Sequence, residues 1–212
     1  MKIIDPSYEI LSMDEGNNIL RHIELAGRTC YKSEARITAN SADDFVRRII
    51  ANGHHSVLEH ASATVRIICD RGVSHELVRH RIGIAISQES TRYCRYGTPT
   101  HEITFIRPPW WDIEDVRYQF WKYAMKEIEY AYGEMLKHDA TPQEARSVLP
   151  NSLKTEVVIT ANMREWRYIF TLRCSKAAHP QMRQIMLPLL KEMCTRCQPL
   201  FEDVLRKVEE DA

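Results

Sequence analysis

The chemistry in this chain concentrates between Arg79 and Gly97, which reads Arg79-His80-Arg81-Ile82-Gly83-Ile84-Ala85-Ile86-Ser87-Gln88-Glu89-Ser90-Thr91-Arg92-Tyr93-Cys94-Arg95-Tyr96-Gly97. Four arginines against one glutamate leave a local charge of +3 in a chain whose formal net charge is zero. Arginine is the planar, permanently charged donor that grips phosphate oxygens in pairs of parallel hydrogen bonds. The hydroxyls of Ser87, Ser90 and Thr91 add short-range donors to the same oxygens. A solvated basic loop paired with distant acids is the bland alternative. The density of Arg, Ser, Gln, Glu and Tyr favours an anion cradle.

A second group, His54-His55-Ser56-Val57-Leu58-Glu59-His60, invites a metal reading, with three histidines and a glutamate in seven residues. No single regular conformation aims all three imidazoles at one point. A near-match to a zinc-binding helix, His75-Glu76-Leu77-Val78-Arg79-His80, fails because its histidines are five apart, roughly 140° around a helix. Further along, Trp166, Phe170 and Arg173 share one helical face. An arginine there is costly unless it meets an anion or a carboxylate. Cys194 and Cys197 form a C-x-x-C without the second pair, or the preceding strand, that a zinc or redox site would need.

These residues need elements to hold them. Asn17–Leu25 is expected to be a short helix ending at Gly27. Ser41 heads another, with Asp43 and Asp44 in its first turn and Asn52-Gly53 as its stop. Ala61 to Cys69 alternates apolar and polar, a half-buried strand. Asp70-Arg71-Gly72 is expected to turn the chain before a short helix, capped by Ser74, that runs through Arg81. The Arg79–Gly97 stretch itself reads as a loop, and 101–106 as a strand. The aromatic-rich 112–138 reads as a long helix whose apolar surface exceeds one core contact and hints at a subunit interface. Thr141-Pro142-Gln143-Glu144 is a capping box opening the short helix that carries Arg146. Lys154–Thr160 reads as a strand, and Asn162 caps the helix bearing Trp166. An amphipathic helix containing Pro188 closes the chain.

The whole is 212 residues, 44% hydrophobic and 27% charged, which fits one ordinary globular domain spanning 1–212. No apolar run approaches ~18 residues, and Met1-Lys2-Ile3-Ile4-Asp5-Pro6 lacks a signal-peptide core. The six cysteines fall at irregular spacings, as in free cytoplasmic thiols. Zero net charge argues against a nucleic-acid coat. The seven glycines are too scattered for G-x-G-x-x-G or a P-loop, so any dinucleotide would be held without a Rossmann motif.

Arg79-His80-Arg81 followed by Ser90-Thr91-Arg92-Tyr93 resembles the signature of the flavin-dependent thymidylate synthases, which methylate dUMP using a flavin hydride. Eight residues, Ile82 to Glu89, separate the two parts here, against seven in the family. The resemblance implies an α+β fold, a central mostly antiparallel sheet flanked by helices, and a homotetramer with active sites shared between subunits. It implies FAD as cofactor, with NADPH and 5,10-methylenetetrahydrofolate as co-substrates. For dUMP it implies contacts from Glu76, Arg79, Gln88, Glu89, Ser90, Thr91, Arg92 and Arg146. Arg173 would be catalytic, stabilising the ionised N3 of the uracil. For FAD it implies His54, Ser56, Arg79, His80, Arg81, Gln88, Asn162, Arg164 and Tyr168, with Glu59 and His60 as supporting structure. Glu76 stands where the family usually has glutamine, and Tyr168 where a smaller polar residue is common. Cytoplasmic location and no metal, membrane or nucleic-acid partner complete the expectation. Two other readings remain: a metal-dependent hydrolase built on His54, His55, Glu59 and His60, and a single-stranded nucleic-acid module using Arg79 to Arg95, with Tyr93 and Tyr96 as stacking platforms.

Overall fold

The structure, a computed structural model, describes residues 1–98 and 101–211. The elements in chain order are β1 (Lys2–Ile4), β2 (Ser7–Met13), α1 (Gly16–Thr29), α2 (Ala42–Ala51), β3 (Ser62–Asp70), α3 (Arg71–Leu77), β4 (Ile84–Gln88), β5 (Thr104–Ile106), α4 (Val116–Lys137), α5 (Pro142–Ala145), β6 (Lys154–Asn162), α6 (Met163–Arg173), α7 (Pro180–Arg196) and α8 (Gln198–Glu210). Short 3-10 turns occupy Glu34–Arg36, His55–His60 and Arg146–Val148. β2, β3, β6 and β4 make a sheet in that order, and β1 pairs parallel with β5. Backbone bonds from Asn162 to Gly83 and from Glu89 to Glu156 have partner numbers running in opposite directions, so β4 and β6 are antiparallel. The bonds Met163 to Ala61 and Arg71 to Asn151 flank β3 and β6 with the same opposed order. The fold is α+β with a mostly antiparallel sheet and flanking helices, as expected.

The chain divides into two compact units. The first comprises Met1–Ser7, Ile67–Arg79 and Ser87–Val158. Its core gathers Ile103, Phe105, Met125, Tyr132 and Leu153 under α4. Trp121 Nε1 donates to Ser152 Oγ at 3.1 Å, so the half-buried indole packs on this core with its N–H satisfied. Phe120, Tyr123 and Tyr130 stay 71, 63 and 66% exposed on α4, the uncovered aromatic face that the sequence foreshadows.

The second unit comprises Tyr8–Arg66, His80–Ile86 and Ile159–Ala212. Its centre is Trp166, which stacks on Phe170 at 5.6 Å and donates Nε1–H to the Ala63 carbonyl. Phe170 meets Phe201 edge-on at 5.7 Å. All three rings are completely buried. Truncating such a ring to alanine costs about 3–5 kcal/mol, so this cluster anchors α6 and everything α6 carries.

Several boundaries differ from expectation. α1 runs past Gly27 to Thr29, because that glycine serves packing: a Cβ there would lie 2.6 Å from the Phe45 ring. Ser41 starts α2 but makes no cap bond; its hydroxyl goes to Glu24 instead. α3 starts at Arg71, capped by the Asp70 side chain on Val73 N–H, and ends at Leu77. Within the supposed loop lies a strand, β4. The C-terminal helix is two helices, broken at Cys197, while Pro188 is carried inside α7.

Candidate functional site

In the first unit β4 ends at Gln88 and the chain turns into Ser90-Thr91-Arg92. Thr91 is buried, and its hydroxyl accepts from Arg146 Nη1 at 3.4 Å. Arg92 Nε donates to the Gln143 carboxamide at 2.9 Å, and its guanidinium lies 5.5 Å over the Tyr93 ring. The Thr141–Glu144 capping box is fully formed, with both reciprocal bonds present, and it fixes the short helix that carries Gln143 and leads directly into the 3-10 turn that Arg146 opens. Two guanidiniums thus converge near Ser90 and Thr91 with neutral partners and, among the described residues, no carboxylate. Such a cradle keeps its positive charge for an anion.

Gln88 and Glu89 point their side chains at protein. Gln88 Nε2 donates to Ser74 Oγ at 2.8 Å and to Thr155 Oγ1 at 3.2 Å. The Glu89 carboxylate accepts from Tyr96 OH at 2.8 Å and from Lys154 Nζ at 3.0 Å. Burial first, then the charge of Glu89, pushes the Tyr96 phenol far up, so it stays a donor. Glu76 is half-buried and Arg79 exposed, both at the end of α3.

In the second unit α6 starts at Asn162, whose side chain accepts from Glu165 N–H at 2.8 Å. The carboxylate of Glu165 does not return to the cap, as a capping box would have it. It takes Nδ1 of His80 at 2.9 Å. On the far side of that ring, Arg173 Nε donates to His80 Nε2 at 3.2 Å, and Tyr168 packs edge-on at 5.7 Å. The imidazole is buried, and burial together with the charge of Arg173 brings its pKa down to about 4. It is therefore neutral at pH 7. A guanidinium has no acceptor, so His80 Nε2 carries the lone pair and Nδ1 the proton.

Beside this network a cavity of about 620 Å³ is lined by Ile82, Asn162, Arg164, Tyr168 and Thr171, among others. Gly83 sits at φ +67°, and a Cβ there would come within 2.2 Å of Asn162 Nδ2, so only glycine lets this turn close on the α6 cap. Ile82 and Tyr168 expose apolar surface; Arg164 pairs with Glu59 at 2.6 Å, both ends exposed. A second cavity, of about 830 Å³, has Arg28, Arg36, Arg48, Arg164, His54, His55 and Ser56 among its lining, and no carboxylate. Arg81 is exposed and pairs with no acid among the described residues. A flavin dinucleotide needs apolar surface against its ring, polar groups at the ring's edges and a cationic seat for its diphosphate; Ile82 and Tyr168, Asn162 and Thr171, and the arginines of the second cavity fit those needs.

The residues expected at dUMP lie in the first unit except Arg173, and those expected at FAD lie in the second except Arg79 and Gln88. Glu165 escaped the sequence reading, since its contact with His80 spans 85 positions. Among the described residues no three His, Cys, Asp or Glu side chains gather as metal ligands. His55 Nε2 lies instead 3.3 Å from the Ile50 carbonyl. The hydrolase reading therefore lacks its ligand set. The six cysteines are unpaired thiols.

Comparison with known proteins bears on the same residues. The family described as "Thymidylate synthase complementing protein" matches residues 12–197. A flavin-dependent thymidylate synthase of Pyrococcus furiosus is 34% identical over 171 residues, covering 80% of this chain and 70% of its own. One from Mycolicibacterium vanbaalenii is 32% identical over 199 residues, covering 85% and 78%. The solved structure of a UMP/dUMP methylase from Streptomyces cacaoi, bound with 5-Br dUMP, superposes with a TM-score of 0.78 at 20% identity, over 95% of this chain and 96% of that one. That last likeness concerns the fold.

Proposed function

The chain belongs to the family of flavin-dependent thymidylate synthases, and we propose that it methylates dUMP reductively to dTMP with FAD bound, 5,10-methylenetetrahydrofolate as carbon donor and NADPH as the source of reducing equivalents. The observation that carries the reading furthest is the cradle of Arg92 and Arg146 on Thr91 and Gln143. Two guanidiniums with neutral partners suit the dianionic monophosphate of a nucleotide. Ser90 adds a hydroxyl, and Arg79 an exposed charge. Glu76, Gln88 and Glu89 complete the nucleotide side, the last two through the strand end they stiffen.

When bound, the flavin supplies the hydride chemistry. The chain supplies position and charge. Arg173 favours the N3 anion of the uracil, because a guanidinium in a sheltered site stabilises the charged form of a weak acid. His54, Ser56, Arg79, Arg81, Asn162, Arg164 and Tyr168 hold the cofactor, with His80 and Gln88 serving through the groups they position. Burial pushes the thiols of Cys69, Cys174 and Cys197 up to about 12, so they stay protonated and take no nucleophilic part. The proposal includes a single catalytic domain, a cytoplasmic location, and a homotetramer with shared active sites. The bare aromatic face of α4 supports the assembly. Among the described residues no helix is long and apolar enough to cross a membrane.

The test is direct. The purified protein should be yellow, with flavin bands, and should form dTMP from dUMP when given both co-substrates. A colourless protein that ignores added FAD and forms no dTMP overturns the reading. Stoichiometric metal would then favour the hydrolase, and steeply salt-dependent oligonucleotide binding the nucleic-acid module.

A further inference from the structure

Arg173 is placed by something the signature does not mention. Its Nε bonds to a histidine whose other nitrogen bonds to a buried glutamate, and that glutamate starts the same helix that Arg173 ends. One helix, α6, therefore holds both ends of a three-residue chain that passes through His80. The side chain of His80 is almost fully buried, and Glu165 little less so.

We infer that Glu165 is a positioning residue: by accepting the Nδ1–H of His80 it locks the imidazole in the tautomer whose Nε2 lone pair holds Arg173 by its Nε–H, and so sets the plane of the guanidinium that meets the pyrimidine. The inference rests on the reading of Arg173 as the uracil contact. Without the carboxylate, the proton is free to sit on Nε2, where it would face the Nε–H of Arg173 head-on. The arginine would then swing away. The neutrality of His80 agrees with this, since an imidazolium could not accept from Arg173 at all. Burial raises the Glu165 carboxyl while Arg164 draws it back, as expected of an acceptor held close to a neutral partner. Tyr168 packs against the imidazole at near right angles, 5.7 Å between ring centroids, and adds to the packing that holds the ring in place. The anionic acceptor behind the histidine is the same device that orients a catalytic imidazole elsewhere, used here to orient a guanidinium.

The experiment uses the ¹⁵N-labelled flavin-loaded enzyme, with the His80 signals assigned by their loss in His80→Gln. At pH 7 the wild type should show a pyrrole-type Nδ1 and a pyridine-type Nε2. Glu165→Leu should lose the single tautomer and drop kcat for dTMP about 100-fold, the scale of a roughly 1 Å misplacement, while flavin stays bound. Glu165→Gln, whose carbonyl oxygen can still accept from Nδ1, should keep the tautomer and recover to within about tenfold. A protonated Nε2 in the wild type overturns the inference, as does unchanged kcat in Glu165→Leu. If Glu165→Leu does not fold, the wild-type tautomer and Glu165→Gln decide the matter. Arg173→Ala, assayed alongside, should abolish turnover with flavin retained. Normal turnover there would overturn the reading of Arg173 itself, a failure distinct from that of Glu165.

Discussion

Two places in this molecule hold arginines close together, and they hold them differently. On α6 and its surroundings, Arg164 meets Glu59 and Arg167 meets both oxygens of Asp203, at 2.7 and 2.6 Å. In the first unit's cradle, Arg92 meets a carboxamide and Arg146 a hydroxyl. A carboxylate offsets much of the charge of the guanidinium it orients. A neutral partner orients the guanidinium and leaves its charge for a ligand. On α6, Arg173 also donates from its Nε to a neutral group, the His80 imidazole. The contrast makes the chemistry of the partner, rather than exposure, the feature to test, and Arg164, assigned to the cofactor but paired with Glu59, is its hardest case.

The contrast is broken most readily at the cradle. Arg92→Ala with Arg146→Ala should raise the KM for dUMP by about 100-fold or more, since each hydrogen bond to a charged group is worth about 1.5–3 kcal/mol. Flavin content should be unchanged. If the double variant binds dUMP normally, neutral partnering does not mark a phosphate seat. Arg167→Ala should do the reverse, leaving nucleotide affinity alone and lowering stability. Arg167 also donates to the Leu200 carbonyl, so its loss strands two acceptors. Because the Asp203 side chain is 47% exposed, the expected cost is only about 2 kcal/mol, or about 4–8 °C in Tm for a chain this size. Burial alone would raise the Asp203 carboxyl, but the bonds from Arg167 outweigh it and hold it below its ordinary value. A carboxyl depressed in the folded state stabilises above its unfolded pKa and loses that contribution as pH falls. The Tm gap between wild type and Arg167→Ala should therefore be full at pH 7 and begin to narrow below about pH 4, leaving the part due to the Leu200 carbonyl. A gap that persists unchanged at pH 3 would show the tie is not ionic.

How much of this could be read from residues alone follows the range of each interaction. The capping box at Thr141, the cap at Asn162, the alternation through β3 and the face shared by Trp166, Phe170 and Arg173 are local patterns, and the structure bears them out. β1 is three residues long and is a strand only because it pairs with Thr104–Ile106, a hundred positions away. No local pattern announces that. β4 was hidden for another reason: Ile84 to Gln88 alternates, but the charged residues on either side made the whole stretch look like a binding loop. The break between α7 and α8 at Cys197 follows no turn residue, and Pro199 stands two residues later, in the first turn of α8, where a proline opens a helix rather than ends one. Gln88 and Glu89 have partners that residue type alone does not reveal. In the fold their side chains bind Ser74, Thr155, Tyr96 and Lys154, contacts that span up to 67 positions.

The weakest expected effect sharpens the contrast most, because it separates exposure from partner chemistry. Arg164 and Glu59 form as short a pair as Arg167 and Asp203, 2.6 Å, but with side chains 53 and 44% exposed. Water already solvates both charges, so the pair gains little Coulomb energy and gives up side-chain freedom to form. Exposed pairs are worth about 0–1 kcal/mol. Glu59→Ala should therefore shift Tm by no more than about 2–3 °C, and by less in 1 M salt than in dilute buffer. If Arg164 serves the cofactor, removing its carboxylate returns a full positive charge to the cavity, so flavin affinity should hold or rise. A fall in flavin affinity with unchanged Tm would mean that Glu59 orients Arg164 for the flavin, and that a carboxylate partner does not by itself mark an arginine as structural.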